Sequence, residues 1–287
     1  MTDKTVLITG GSRGLGQALV HKFLQEGYIV HSVSRNTWSS LHGRMDSTVQ
    51  KQKIHLHTCD LGDVKQVNAL CARIQEEQWV VDVLINNAAI HGPIGPFVEN
   101  QIHAWRNTIE TDLMAPVALC QAVLPIMRRR RSGVIINLSG GGATSSRPNF
   151  SAYATAKAAL VRFSEILAEE EMENGIRVNC VAPGAMNTQL LHEVLAQGVQ
   201  GSGMKEHSMA ASIIANRTKS EETMERAVAL VTFLSGSAGS TITGKIISAQ
   251  WDNWEQWPAH TQELGASDIY TLRRIVGKDR NIAWGDR

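Results

Sequence analysis

The chain has 287 residues, 43% of them apolar and 19% charged, and its 28 Lys and Arg nearly balance 27 Asp and Glu. That length buries a full core without metal or disulfide staples, and the composition excludes a disordered chain and a coiled coil. The near-balance of charge gives no electrostatic reason to expect nucleic acid or a membrane surface as partner, and no run approaches the ~18 uncharged apolar residues of a bilayer crossing.

The N-terminal Met-Thr-Asp-Lys leads straight into an apolar run over residues 5–9, leaving no room for a signal peptide, so a cytoplasmic protein is expected. That run is short and uninterrupted, as in a strand buried on both faces of a parallel sheet. A glycine cluster follows, then Leu15, Ala18, Leu19, Phe23 and Leu24 at helical spacing. Strands are predicted over 28–33, 53–58 and 80–85, with Val64, Val67, Leu70, Cys71 and Ile74 marking a helix between the last two. A long helical stretch covers 102–130, with Pro116 as its expected kink. A strand at 134–138, a helix at 152–172, a strand at 176–182, a helix at 221–234 and a seventh strand at 242–248 complete the series. Alternation with short connections implies an α/β fold: one doubly wound, Rossmann-type parallel sheet of about seven strands, helices on both faces, in a single domain. Such sheets bind ligands beyond the carboxyl ends of their strands.

Cys59, Cys71, Cys120 and Cys180 stand far apart in apolar runs without a C-x-x-C pair, and read as reduced core residues. His55 and His57 alternate on one strand face without a third ligand, so no metal is expected.

The residues at the strand ends carry the chemistry. Thr9 is followed by Gly10, Gly11, Ser12, Arg13, Gly14, Leu15 and Gly16, a Thr-Gly-x3-Gly-x-Gly turn between the first strand and the first helix. Glycines allow positive φ and let backbone approach a pyrophosphate, which the helix N-terminus attracts. At the end of the second strand an acidic residue would favour the unphosphorylated ribose of NAD(H). Ser34 and Arg35 stand there instead, and Arg35 with Arg13 suits the extra phosphate of NADP(H) over NAD(H). Asp60 and Leu61 close the third strand, and Asp60 is read either as an acceptor for the adenine amino group or as a helix cap. Asn86, Asn87, Ala88 and Ala89 close the fourth, where the Asn pair either bonds backbone near the adenine ribose or forms a turn. Tyr153 and Lys157, at i and i+4, share one helix face. A free phenol ionises near pH ~10, so holding it half ionised at neutral pH takes about three units, or ~4 kcal/mol, which a neighbouring ammonium and a positive pyridine ring can supply.

The order of these motifs, completed by a serine at the end of the fifth strand and by Pro183 and Gly184, resembles the short-chain dehydrogenase/reductase family over residues 5–248. The resemblance implies hydride transfer between a nicotinamide and a ketone or secondary alcohol, with Tyr153 as general acid or base. It gives Lys157 two tasks, tuning the tyrosine and holding the nicotinamide ribose, and places Pro183, Gly184 and Thr188 along the nicotinamide and pyrophosphate. It also implies a homodimer or homotetramer paired through the helices at 102–130 and 152–172.

Two positions depart from the family pattern. The substrate-orienting serine usually stands thirteen residues before the tyrosine, where this chain has Gly140; Ser139 precedes it and is expected to turn inward on the glycine run, with Ser145 and Ser146 as fallbacks. Asp112 replaces a usual asparagine that holds a water below the lysine; it would pair with Lys157 and weaken the push on Tyr153, or else it is an exposed carboxylate.

Residues 1–249 are therefore expected to form the dinucleotide-binding catalytic domain, with 186–220 as a substrate lid. The extension 250–287 carries Trp251, Trp254, Trp257, Tyr270, Leu272 and Ile275, too apolar as a set to leave in water, and should pack on its own domain or on a neighbouring subunit. The basic run 128–131 suits a helix C-terminus. The leading function is an NADP(H)-dependent oxidoreductase acting on a small-molecule carbonyl or alcohol. His91, Asn149, Gln189 and His192 suggest a polar, hydroxylated or sugar-like substrate. The alternatives are a catalytically impaired cofactor-binding sensor or scaffold, and a sugar-nucleotide epimerase or dehydratase.

Overall fold

A computed structural model describes residues 3–35 and 53–282, so the outermost residues of the expected domain and of its extension lie outside the described residues. Seven strands form one sheet: β1 (Thr5–Thr9), β2 (Ile29–Ser34), β3 (Ile54–Thr58), β4 (Val83–Asn86), β5 (Gly133–Leu138), β6 (Ile176–Ala182) and β7 (Ile246–Ser248). Their order is β3-β2-β1-β4-β5-β6-β7, and every neighbouring pair is parallel. β1, β4 and β5 are buried at every position, which is why they read as unbroken apolar runs. Strand order reverses between β1 and β4, and the crevice at that switch point is where such sheets take ligands.

The helices are α1 (Gly14–Gln25), α2 (Val64–Glu76), α3 (Ile102–Ile109), α4 (Ala115–Arg130) and α5 (Ser151–Glu171) in the first part of the chain. They continue as α6 (Gln189–Ala196), α7 (Gly198–Ser202), α8 (Met204–Ala215), α9 (Arg217–Ser235) and α10 (Thr261–Ala266). Alternation along β1 sends Val6 and Ile8 into a core with Leu19, Phe23, Leu230 and Leu234 of α1 and α9. Leu7 joins Leu70 and Ile74 of α2, Leu119 and Val123 of α4 and Leu167 of α5 on the opposite face.

Several expected boundaries move for identifiable reasons. The kink assigned to Pro116 is a π-helical turn over Glu110–Met114 just upstream. Pro116 has no N–H for the carbonyl of Asp112, and the Ala115 N–H reaches back five residues to Glu110. By length and composition Ile102–Arg130 is apolar enough to cross a membrane, and half of its most apolar window is buried in this fold, where Leu119, Val123 and Met127 line the core. The segment 186–220 is helical, broken at Gly198 and Gly203, whose φ values of +62° and +87° end one helix and start the next. α9 starts four residues before the predicted Glu221 because Asn216 caps it, its side chain accepting the Lys219 N–H at 3.1 Å.

The tail divides. Trp254 and Trp257, each 5% exposed, sit one turn apart on a 3-10 helix (Trp254–His260) and join the α9 side of the core. The Tyr270 ring lies 4.3 Å from Trp257, and its carbonyl accepts the Ile246 N–H at 2.8 Å, covering the open edge of β7. Trp251 precedes that helix and is 88% exposed, and Ile275 is also exposed, so the stripe is not wholly withdrawn from water.

At the opposite edge His31 Nδ1 lies 3.1 Å from His57 Nε2, with Trp79 packed at a tilt against both rings. Burial, the neighbouring imidazoles and Arg73 push His31 down to about 3 and His57 to about 4. Both values lie below the ordinary 6.5, so the unfolded chain binds more protons in between, and stability is lost as pH falls through that window. Urea midpoints should therefore fall between pH 7 and pH 4.5, and the double variant H31L/H57L should show a shallower fall than wild type. An unchanged slope in the variant would reject the assignment.

Candidate active site

β1 and β4 are stitched together at the switch point. Thr9 Oγ1 accepts the N–H groups of Asn87 and Ala88, each at 3.0 Å, and Asn87 Nδ2 donates to the Thr9 carbonyl at 2.8 Å. Asn87, one of the residues expected beside the adenine ribose, thus braces the glycine turn with its amide. Gly10 and Gly14 hold φ of +69° and +55°. A Cβ on Gly10 would stand 2.9 Å from Ala88 Cα, and one on Gly16 would overlap the Gly10 carbonyl oxygen. α1 opens directly behind, with Leu15 buried, Ser12 half-buried and no side-chain cap from Arg13. A tight cradle under an uncapped helix N-terminus fits a pyrophosphate.

Around the cradle, Arg13 and Arg35 are exposed, and both draw down the carboxyl of Glu193 on α6, which burial raises. Both guanidinium groups therefore stand within electrostatic reach of that carboxyl. Asp60 Oδ1 accepts the Gly62 N–H at 3.0 Å, while the cap of α2 is Asp63, which accepts from Lys65 and Gln66. Leu61 is buried beside it. Pro183 is half-buried and Gly184 has φ +90°, with the Gln250 and Thr223 side chains where a Cβ would go. Thr188 Cγ2 would lie 3.2 Å from a Cβ on Gly14, so the start of α6 meets the glycine turn.

The reactive pair is deep. Tyr153 is 6% exposed, Lys157 1% and Asp112 0%, which removes the reading of Asp112 as a surface carboxylate. Lys157 Nζ donates to the Leu138 carbonyl at 3.0 Å, lies 3.6 Å from Asp112 Oδ2 and 5.7 Å from the centre of the Tyr153 ring. The Ile90 N–H donates to Asp112 Oδ1 at 2.9 Å. Burial lifts the Asp112 carboxyl to about 6 against the pull of Lys157. The Tyr153 phenol stands above its ordinary value of 10.0: burial raises it most, Asp112 adds to that, and Lys157 and Arg147 oppose it. The push expected from Lys157 is present, but desolvation outweighs it.

The serine expectation needs correction. The Ser139 N–H bonds the Val181 carbonyl at 2.8 Å, so the ladder and its alternation run one residue past β5. Gly140 then takes the face toward the phenol, where a Cβ would overlap Tyr153 Oη. Ser139 Oγ is buried and faces the Cys180 thiol. The glycine run does not turn Ser139 inward, and Ser145 and Ser146 are exposed.

Other polar groups surround the phenol. His91, 5% exposed, meets the Tyr153 ring edge-on at 5.0 Å, and burial with Arg147 and Lys157 holds it down at about 3, hence neutral. Of the other expected pocket residues, Asn149 Nδ2 would lie 3.3 Å from a Cβ on Gly203, and Gln189 and His192 are exposed. Sequence reasoning missed Arg147. Its guanidinium lies 3.8 Å over the Phe150 ring and 5.7 Å from that of Tyr153, and donates from Nε and Nη2 to Glu206 Oε2 at 3.0 and 2.7 Å. The one available signal was a basic residue in the loop entering the tyrosine helix.

A sequence profile described as short chain dehydrogenase matches residues 4–198. The chain belongs to the short chain dehydrogenase family. It is similar to the 3-oxoacyl-[acyl-carrier-protein] reductase FabG of Chlamydia muridarum, 29% identical over 249 residues that cover 86% of this chain and 96% of that protein. Among solved structures it is similar to ElxO with NADP bound, at 26% identity and TM-score 0.71, covering 86% of this chain and 97% of that one. A 4-hydroxyisoleucine dehydrogenase complexed with NADH shares the fold at 23% identity and TM-score 0.71, over 86% of this chain and 96% of that one. Family membership makes the chain a nicotinamide-dependent oxidoreductase of the alcohol–carbonyl class.

Because Tyr153 Oη fills the space that a side chain at Gly140 would need, Gly140→Ala should displace the phenol. A displacement on the order of 1 Å should cost roughly 100-fold in kcat with the melting temperature little changed, and wild-type kcat in the variant would refute the placement.

Proposed function

We propose that the protein is an NADP(H)-dependent carbonyl reductase or alcohol dehydrogenase in which Tyr153, Lys157 and Asp112 move the proton. The observation that carries this reading is the buried row of Asp112, Lys157 and Tyr153, with Lys157 Nζ 3.6 Å from Asp112 Oδ2 and 5.7 Å from the Tyr153 ring.

The glycine turn fits a dinucleotide, and bound there the nicotinamide would give or accept the hydride. Gly10, Ser12, Gly14, Leu15 and Gly16 would cradle the pyrophosphate. Asp60, Leu61, Asn87 and Ala88 would line the adenosine half, and Pro183, Gly184 and Thr188 the nicotinamide half. Lys157 would hold the ribose. Arg13 and Arg35, both exposed beside the cradle and both acting on the Glu193 carboxyl, support the 2′-phosphate and hence NADP(H). Tyr153 would give its proton to the carbonyl oxygen during reduction, and Lys157 would steady the phenolate left behind. The phenol starts above 10.0, so reaching half ionisation near neutral pH requires more than about three units, or ~4 kcal/mol, from charges that arrive with substrate and cofactor. Ser139 is turned away, so the second partner of the substrate oxygen falls to the groups around the phenol rather than to a strand serine.

The same reading makes α6 to α8 the lid and the tail a brace on β7. Exposed Ile102, Met114, Ile166 and Met172 on and beside α3 to α5 support self-association there, as a homodimer or homotetramer. Four unpaired cysteines are consistent with a cytoplasmic setting. A cofactor-binding scaffold is the second reading, and Gly140 with the raised phenol is the observation that favours it.

Purified protein mixed with a ketone panel should consume NADPH at least about 10-fold faster than NADH, since a charge-assisted pair to phosphate is worth roughly that much or more. R13Q/R35Q should erase the preference and Y153F the turnover. Preference for NADH would reject the phosphate site, and tight NADPH binding without turnover on the whole panel would favour the scaffold.

A further inference from the structure

Among the described residues, Arg147 is the strong cation beside the phenol that the proton-moving row does not use. Its side chain is 11% exposed, and its partner Glu206, on α8 of the lid segment, is 14% exposed. Both recorded bonds run to a single oxygen, Glu206 Oε2, so one carboxylate engages two of the five guanidinium donors and no hydrogen bond among the described residues engages Nη1. Phe150 and Tyr153 flank the guanidinium, an apolar setting in which an unpaired charge is costly.

We propose that Arg147 is the specificity-determining residue for an anionic substrate, a carbonyl compound carrying a carboxylate within about one or two carbons of the reacting carbon. This rests on the oxidoreductase reading above. The substrate carboxylate takes the place of Glu206 on the guanidinium, and the carbonyl carbon comes to lie beside Tyr153. Exchanging one carboxylate for another leaves the charge of the buried site unchanged. A neutral ketone offers no such exchange: it must leave Glu206 on the guanidinium or strand the guanidinium without a counter-charge. The neutral imidazole of His91, which meets the Tyr153 ring edge-on at 5.0 Å and has Glu193 Oε2 3.7 Å from its Nδ1, is a further polar group beside the phenol. In the reduction the carbonyl carbon gains the hydride of the reduced nicotinamide dinucleotide, and its oxygen gains the proton of Tyr153, giving a hydroxy acid.

The test compares 2-oxo and 3-oxo carboxylates with their methyl esters, which lack the charge and carry one added methyl group, in the presence of NADPH or NADH. Wild type should prefer the acid by about 30-fold or more in kcat/KM, the range of a buried charge-assisted pair. R147Q should collapse that ratio toward one, with R147K between them, and E206Q should lower KM for the acid without a matching change in kcat. Equal use of acid and ester by wild type overturns the proposal, as does a fall in R147Q that is the same for both. A second readout separates this from the parent reading: oxamate, an unreactive carboxylate, should raise the melting temperature of wild type with NADP+ bound and not that of R147Q. Oxamate protection without turnover of any carbonyl keeps the anion site and removes the oxidoreductase. Absence of protection in wild type removes the anion site even where neutral ketones react.

Discussion

The site depends on one buried ammonium. Lys157 is 1% exposed, and three groups receive it: the Leu138 carbonyl at the end of β5, the Asp112 carboxylate and the Tyr153 ring. A cation withdrawn from water to this degree is tolerated only with hydrogen bonds and a counter-charge. Asp112 supplies the counter-charge because the π-helical turn ahead of Pro116 carries it, fully buried, to the foot of the lysine. The same carboxylate offsets what the lysine does for the phenol. The resting site is accordingly poised with a protonated tyrosine, and ionisation waits on charges that arrive with the ligands.

The other half of the crevice is rigid for a different reason. Thr9 and Asn87 tie the ends of β1 and β4 together, and the space beside Gly10 and Gly16 is too small for any side chain. Hydrogen bonds hold the cofactor side, and electrostatics set the reactive side. Thr188, at the start of α6, touches the glycine turn, and α8 reaches the reactive side through the pairing of Glu206 with Arg147.

Much of this was legible in the sequence, and what was not has physical causes. Unbroken apolar runs located the strands because a parallel sheet covered on both faces has no polar side to confuse the pattern. The i, i+4 spacing of Tyr153 and Lys157 placed both on one face of a helix whatever the details of its packing. Ser139 was misplaced because a single residue of strand phase decides which face a side chain takes, and the ladder to Val181 continues past the end of β5. The sign of the shift on Tyr153 could not be read either, since the sequence shows the nearby lysine but not the desolvation that exceeds it. Arg147 and Glu206 meet across 59 residues, a separation that no local pattern reports. Trp251 looks like Trp254 and Trp257 in spacing, but it lies ahead of the 3-10 helix that buries the other two.

The balance among Asp112, Lys157 and Tyr153 is open to direct titration, because the chain has only 3 tyrosines. Tyrosinate absorbance followed against pH, with the Y153F curve subtracted, isolates the buried phenol in wild type and in D112N. Loss of the carboxylate removes a charge that raises the phenol and leaves the lysine to act alone, so the Tyr153 component should move to lower pH in D112N. An unmoved component, or one that moves to higher pH, would contradict the shared-cation account.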